Sequence, residues 1–301
     1  MGIARRLVES ESSAVFPFVF KITTTTANTV FTTPLADYGG LTPSLIISWG
    51  DGSANSPLIT SSTSVDRIHN FVSAGTYTIT ISGFMPGFRV DNNSAIRNLI
   101  TEIVQFGIVG LRTINFYGCQ NVTSIPSSAS LSAVGGYTGL DEVVSFSGFM
   151  QATRITSIPA DMFQYSTKAT TFSNTFASVL TLTTVPSGLF NNVPNVTTFA
   201  SCFFGCTALT SVPSDLFDQN TTAVNFSGTF YNCRALTNVL QFTYNTSVTI
   251  FNNVYNMSST INSLSGTAPE IWNRIPIPAG TNAFNNCTGL TNFATIPSTF
   301  K

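Results

Sequence analysis

A phrase of about 27 residues recurs through nearly two thirds of this chain, and it limits the possible folds more than any other feature. Its clearest copy reads FASCFFGCTALTSVPSDLF, from Phe199 to Phe217. Others are FYGCQNVTSIP (Phe116 to Pro126), FSNTFASVLTLTTVPSGLF (Phe172 to Phe190), FSGTFYNCRALTNVL (Phe226 to Leu240) and FNNCTGLTNFATIPSTF (Phe284 to Phe300). The opening Phe falls at Phe146, Phe172, Phe199, Phe226 and Phe251, at intervals of 26, 27, 27 and 25 residues. A closing Pro falls at Pro126, Pro159, Pro186, Pro213 and Pro297, with Leu240 standing where the regular run calls for another. A period of this length marks a solenoid: one coil cannot bury its own apolar face, so coils must stack.

Stacking has consequences for single positions. LTSVP (Leu209–Pro213) reads as a short strand that its Pro ends, because Pro has no N–H to give a ladder. The return phrase turns two Phe inward, and stacked coils set equivalent rings about 4.8 Å apart, as ladders. Breaks in the period at Ser127–Asp141 and Ser258–Gly280 are expected to bulge as loops from one edge.

Residues 16–90 follow another rule. FPFVFKI (Phe16–Ile22), NTVFTTPL (Asn28–Leu35), SLIISWG (Ser44–Gly50), RIHNFV (Arg67–Val72) and GTYTITISGF (Gly75–Phe84) read as short strands punctuated by Gly39-Gly40, Asp51-Gly52 and Pro86-Gly87. In the last strand Tyr77, Ile79 and Ile81 alternate with Thr and Ser, as a half-buried strand requires. Strands at this spacing predict a β-sandwich. Residues 1–15 form an N-terminal arm, and residues 91–113 a bridge holding a helical turn and the strand ITEIVQFG. Residues 114–301 are the solenoid.

SLIISWGDGS followed by IHNFVSAGTYTITISG resembles the polycystic-kidney-disease (PKD) domain, an Ig-like sandwich. Trp49, Gly50, Asp51, Gly52, His69, Phe71, Gly75, Tyr77 and Thr78 match its pattern in order and spacing, with Phe71 in place of the usual Tyr. The resemblance implies a binding or spacer module without catalysis. From about residue 105 onward, the recurring T-F-x-x-x-x-C-x-x-L-T-x-[IV]-P phrase resembles the BspA-like leucine-rich repeats of bacterial surface proteins and phage proteins. Together they imply a mainly β chain: an Ig-like sandwich followed by a leucine-rich-repeat solenoid.

Composition narrows the function. Charged residues make up only 8% of the 301, against about 25% in average proteins. Thr, Ser and Asn take their place, as in extracellular and virion β-proteins. With 26 Phe and a net charge of −1 the chain has ample core and is not expected to be disordered. The 12 Lys and Arg form no cluster beyond Arg5-Arg6, which argues against nucleic acid as a partner. No apolar run approaches ~18 residues, so no membrane span is expected. The N-terminus shows no export signal.

Candidate chemistry is sparse. Cys119, Cys206, Cys233 and Cys287 share one repeat position, with Cys202 four residues before Cys206. They read chiefly as stacked small hydrophobes; a Cys206–Cys233 disulfide and a metal site are lesser readings. His69 is the only His, which excludes a multi-His site, and its expected role is structural. Asp51 reads as a turn residue, with a Ca²⁺ site using Asp37 or Asp66 as the alternative. Asp215 and Asp218 are the one carboxylate pair a glycosidase would need, yet both sit where Asp serves turns. No cofactor and no catalytic residue is expected. Trp272, Tyr231, Tyr244 and Tyr255 read first as core packing, with an outward-facing contact patch for partners formed by some of them as the other reading; Arg5 and Arg6 of the arm are further candidate contacts.

The sequence thus predicts a non-enzymatic, multi-copy protein displayed on a bacteriophage particle. It would be a capsid decoration protein, head fibre or tail-associated fibre, docked on other virion proteins through arm and sandwich. The solenoid would meet a host-surface protein or glycan. A bacterial cell-surface adhesin of the same repeat family is the alternative; a glycan-processing enzyme is a remote one.

Overall fold

The structure, a computed structural model, describes residues 16–91, 93–127 and 139–301. The chain is mainly β, with several sheets and little helix. Its strands are β1 (Phe18–Thr24), β2 (Thr29–Thr32), β3 (Leu35–Ala36), β4 (Ser44–Ser48), β5 (Ile68–Phe71), β6 (Gly75–Phe84), β7 (Gly87–Arg89), β8 (Ile100–Gln105) and β9 (Thr113–Asn115). One helical turn, α1 (Ser94–Arg97), is capped by the Asn93 side chain, which accepts from the Ala95 N–H.

Four strands form an antiparallel sheet in the order β4–β6–β1–β8. Strand alternation decides which face is buried. Phe18, Phe20 and Ile22 of β1 point inward opposite Ile81, Ile79 and Tyr77 of β6, and Leu45 and Ile47 of β4 join them. Their rings meet the two smaller sheets, β2–β5 and β3–β7–β9: Phe20 lies 6.0 Å from Phe31 and 5.3 Å from Phe88, and Phe18 lies 4.8 Å from Phe88. The segment 91–113, read as a bridge, supplies α1 and then β8, which pairs with β1 inside the main sheet.

β9 runs parallel to β7 and begins a column of parallel bridges. Parallel bridges link Thr113 to Ser145, then Thr171, Thr198, Asn225, Ile250 and Ala279. From each of these positions alternate N–H groups donate to the next coil. Phe199, Ser201, Phe203 and Gly205, for example, donate to the carbonyls of Asn225, Ser227, Thr229 and Tyr231 at 2.7–2.9 Å. The residues between them donate within their own coil, as Cys202 does to Phe199.

That two-way pattern brings left-handed backbone twice in five of the coils and once, at Asn253, in the coil that Phe251 opens. Positive φ recurs at Gly148 and Ala152, Asn174 and Ser178, Ser201 and Gly205, Gly228 and Asn232, and Asn282 and Asn286. Gly and Asn bear this conformation at least cost. The phrase F-x-[GNS]-x-F-x-[GNS] is therefore a record of backbone angles as well as of packing.

The Phe ladders are present, and there are three. Phe146, Phe172, Phe199, Phe226 and Phe251 stack at 5.0–6.0 Å. Phe176, Phe203, Phe230, Tyr255 and Phe284 form a second column at 5.3–6.0 Å. Phe163, Phe190, Phe217 and Phe242, from beyond the Pro, form a third. This last column meets the first edge-on, at 4.8–5.0 Å between Phe163 and Phe172, Phe190 and Phe199, Phe217 and Phe226, and Phe242 and Phe251. Spacings above ~4.8 Å reflect offset stacking, which ring quadrupoles favour over a face-to-face sandwich.

Two sequence expectations change. The short strands at LTSVP shrink to single contacts: Thr210 donates its N–H (2.9 Å) and its hydroxyl (3.0 Å) to the Thr183 carbonyl, and Thr237 does the same to Thr210. Of the expected loop Ser258–Gly280, residues 263–266 instead continue the stack. Ser265 bonds the Thr237 carbonyl, Gly266 bridges to Leu290, and Leu264 supplies the buried Leu. The other expected loop, Ser127–Asp141, lies mostly outside the described residues.

At the far end Gly280 stands where a sixth Phe of the first ladder would fall. A Cβ there would sit 1.9 Å from the Phe300 ring, so the C-terminal segment occupies that space. The Phe300 carbonyl accepts from the Phe284 N–H, and Trp272 meets both rings edge-on at 6.1 Å.

Candidate functional site

The motif residues of the N-terminal sheets converge in one cluster. β4 ends at Ser48, and Gly50 turns the chain with φ +75. A Cβ at Gly50 would lie 2.3 Å from the Thr78 carbonyl oxygen, so only Gly fits. The turn places buried Trp49 on the His69 ring, stacked at 4.6 Å and 9°. Beyond it, Phe71 meets His69 edge-on and Tyr77 in a stack. The Tyr77 hydroxyl donates to the Ser73 carbonyl at 2.7 Å.

Asp51 locks the cluster. Its Oδ1 accepts from the Ser53 N–H and hydroxyl, and its Oδ2 lies 2.7 Å from His69 Nε2. Burial pushes its carboxyl up, but the bonds from Ser53 and His69 outweigh it and bring the pKa down to about 2. Its acceptor positions are committed to the turn and the ring. Among the described residues no group of three or more His, Cys, Asp or Glu is arranged to hold a metal ion.

A depressed carboxyl pKa adds stability that is complete above its unfolded value near 4 and is lost as pH falls through about 2. Allowing for solvent screening, Asp51 is expected to contribute on the order of 1 kcal/mol. The gap in urea midpoint between Asp51→Asn and wild type should therefore be smaller at pH 2.5 than at pH 5. An unchanged gap between the two proteins would refute this role.

The five cysteines are buried and free. The thiols of Cys206, Cys233 and Cys287 donate to the carbonyls of Phe176, Phe203 and Tyr255 in the preceding coil at 3.0–3.1 Å. Burial pushes Cys119, Cys206 and Cys287 up to about 12 and raises Cys202 and Cys233 well above the ordinary thiol value. Such thiols are poor nucleophiles and poor ligands at neutral pH.

The carboxylates brace coils. The Ser187 hydroxyl donates to Asp215 at 3.0 Å, and Ser127 to Asp161 at 3.1 Å. Burial, with Asp215 nearby, raises the Asp218 carboxyl. Glu142 joins Arg112 (2.9 Å) and Lys168.

The expected contact residues separate. Tyr244 is 59% exposed. Tyr231 is half-buried and stacks at 4.8 Å on the exposed Phe204, a partner that the sequence reading did not single out. Trp272 is half-buried against the C-terminal core. Tyr255 is a correction: it is fully buried, because the period places it in the second Phe ladder. Its hydroxyl accepts the Leu240 N–H at 2.8 Å. Arg5 and Arg6 lie outside the described residues. The sequence reading also missed Ile261, Ile275 and Ile277, which are strongly exposed in the segment before Ala279. Among the described residues no helix is long and apolar enough to cross a membrane.

Compared with known proteins, the sequence matches no protein-family model and no curated protein. The likenesses to PKD domains and BspA-like repeats rest on the residues quoted above.

Proposed function

We propose that this chain is a non-enzymatic display protein of a bacteriophage particle, a capsid decoration protein, head fibre or tail-associated fibre. In this reading a PKD-like, Ig-like sandwich carries a BspA-like leucine-rich-repeat solenoid. The arm and sandwich dock on other virion proteins in many copies, and the coils face the host surface or its glycans. The observation that carries the reading is the bridge column from Thr113 to Ala279, rooted through β9 in the N-terminal sheets. A body built this way offers a long, charge-poor face on a fixed base. The Phe204–Tyr231 stack and, elsewhere on the coils, Tyr244 give the surface aromatic contact points of the kind that dominate binding energy.

Mass spectrometry of gradient-purified particles tests the reading. Peptides of this chain are expected to co-sediment with capsid or tail proteins at constant stoichiometry. Recovery only in the bacterial envelope fraction would favour a cell-surface adhesin, and absence from particles would overturn the proposal.

A further inference from the structure

A cleft of about 400 Å³ opens among β2, β7 and α1, away from the cluster around Asp51. Val30, Leu35 and Ile96 line its apolar side, and Arg67, Arg89, Asp91 and Asn93 its polar side. The two guanidinium groups differ. Arg89 is paired with Asp91 at 2.8 Å and donates to the Thr113 hydroxyl. Arg67 has no carboxylate within ion-pair distance among the described residues. Its Nη1 donates to the Thr33 carbonyl at 3.0 Å, which fixes the group in place. Its Nε is buried and has no acceptor.

The edge left unused is therefore the side formed by Nε and Nη2. With Nε buried, Nη2 is the group on this edge left to a ligand, and a guanidinium N–H gives a carboxylate oxygen a charge-assisted hydrogen bond. A partly buried cation without a counter-charge is costly unless an anion supplies one. We infer that this cleft binds a small monocarboxylate, an oxygen on Nη2 of Arg67 and its compact, partly apolar body against Leu35 and Ile96. The volume suits a ligand of one amino acid or one sugar ring with a substituent.

Hippurate (N-benzoylglycine) and its neutral methyl ester are the probes, followed by ¹⁵N NMR of the full chain. Hippurate is expected to shift the Arg67 Nε–Hε signal and the Val90 and Ala95 amides saturably, with a Kd on the order of 1 mM, and the ester is not. Arg67→Gln should weaken the amide response by about tenfold or more, the loss of a charge-assisted pair. Ala95→Trp, at an exposed position of α1 that lines the cleft, should block it without touching the guanidinium. It also serves as the test if Arg67→Gln does not fold. No response at concentrations on the order of 10 mM, an equal response to the ester, or binding that survives Ala95→Trp overturns the inference.

Discussion

Phe203→Ala is expected to lower the unfolding free energy by about 3–5 kcal/mol, the range for truncating a fully buried Phe. Phe203 is 0% exposed and stacks on Phe176 at 5.5 Å and on Phe230 at 5.7 Å, so its loss opens a cavity shared by three coils. The coils cannot close that gap, because alternate N–H bonds to both neighbours hold the backbone at a fixed rise. Phe204→Ala, one residue on, is the control. Its ring is partly exposed and, among the described residues, touches only Tyr231 of the aromatic side chains, so a cost of about 1 kcal/mol or less is expected. Urea midpoints of the two variants test the contrast. An unchanged midpoint for Phe203→Ala would remove the ladder as a source of stability.

Tyr255→Phe is expected to cost about 1–3 kcal/mol, although it deletes one oxygen from a ring that stays in place. The reason lies in two coupled departures from the repeat. Where the coils before it close on Pro, one closes on Leu240, which brings an N–H that Pro lacks. Where the second ladder otherwise carries Phe, it carries Tyr255, whose hydroxyl accepts that N–H at 2.8 Å. Removing the oxygen leaves a buried donor with no acceptor. Burial drives the phenol pKa upward, so the hydroxyl stays neutral through the physiological range. Phe230→Tyr, the equivalent change one coil earlier, should also destabilise, because Pro213 has no N–H to meet the new hydroxyl. Thermal melts of both variants check the pair: neutrality of Tyr255→Phe would show that Leu240 does not need the bond.

How much of this was legible in the sequence depended on what each residue reports. Phe at regular intervals reports burial, and two ladders followed directly from it. The third ladder was hidden because Phe163, Phe190, Phe217 and Phe242 lie beyond the Pro, in a stretch that reads as a turn. The period itself could have placed Tyr255 in the core, since it stands 25 residues after Phe230, the same step that separates Phe226 from Phe251. Its hydroxyl suggested a surface role, and only the register argues otherwise. Residues 263–266 escaped notice because NSLSG keeps one Leu of the phrase and neither its Val nor its Pro. The cleft around Arg67 could not be read from the chain at all, because β2, the turn before β5, β7 and α1 meet there from four separate stretches. WGDGS and His69, by contrast, carried their contact in their spacing.

The column of bridges that starts at β9 has one more consequence. A coil inserted between Thr171 and Thr198 would find on each side the same carbonyls, rings and thiol acceptors that the present neighbours offer each other. Each duplication of about 27 residues would move the far end outward by about 4.8 Å, leaving the base and the terminal Phe300 packing as they are. The fold is in this sense a ruler, and its reach can change by whole graduations through gene duplication alone.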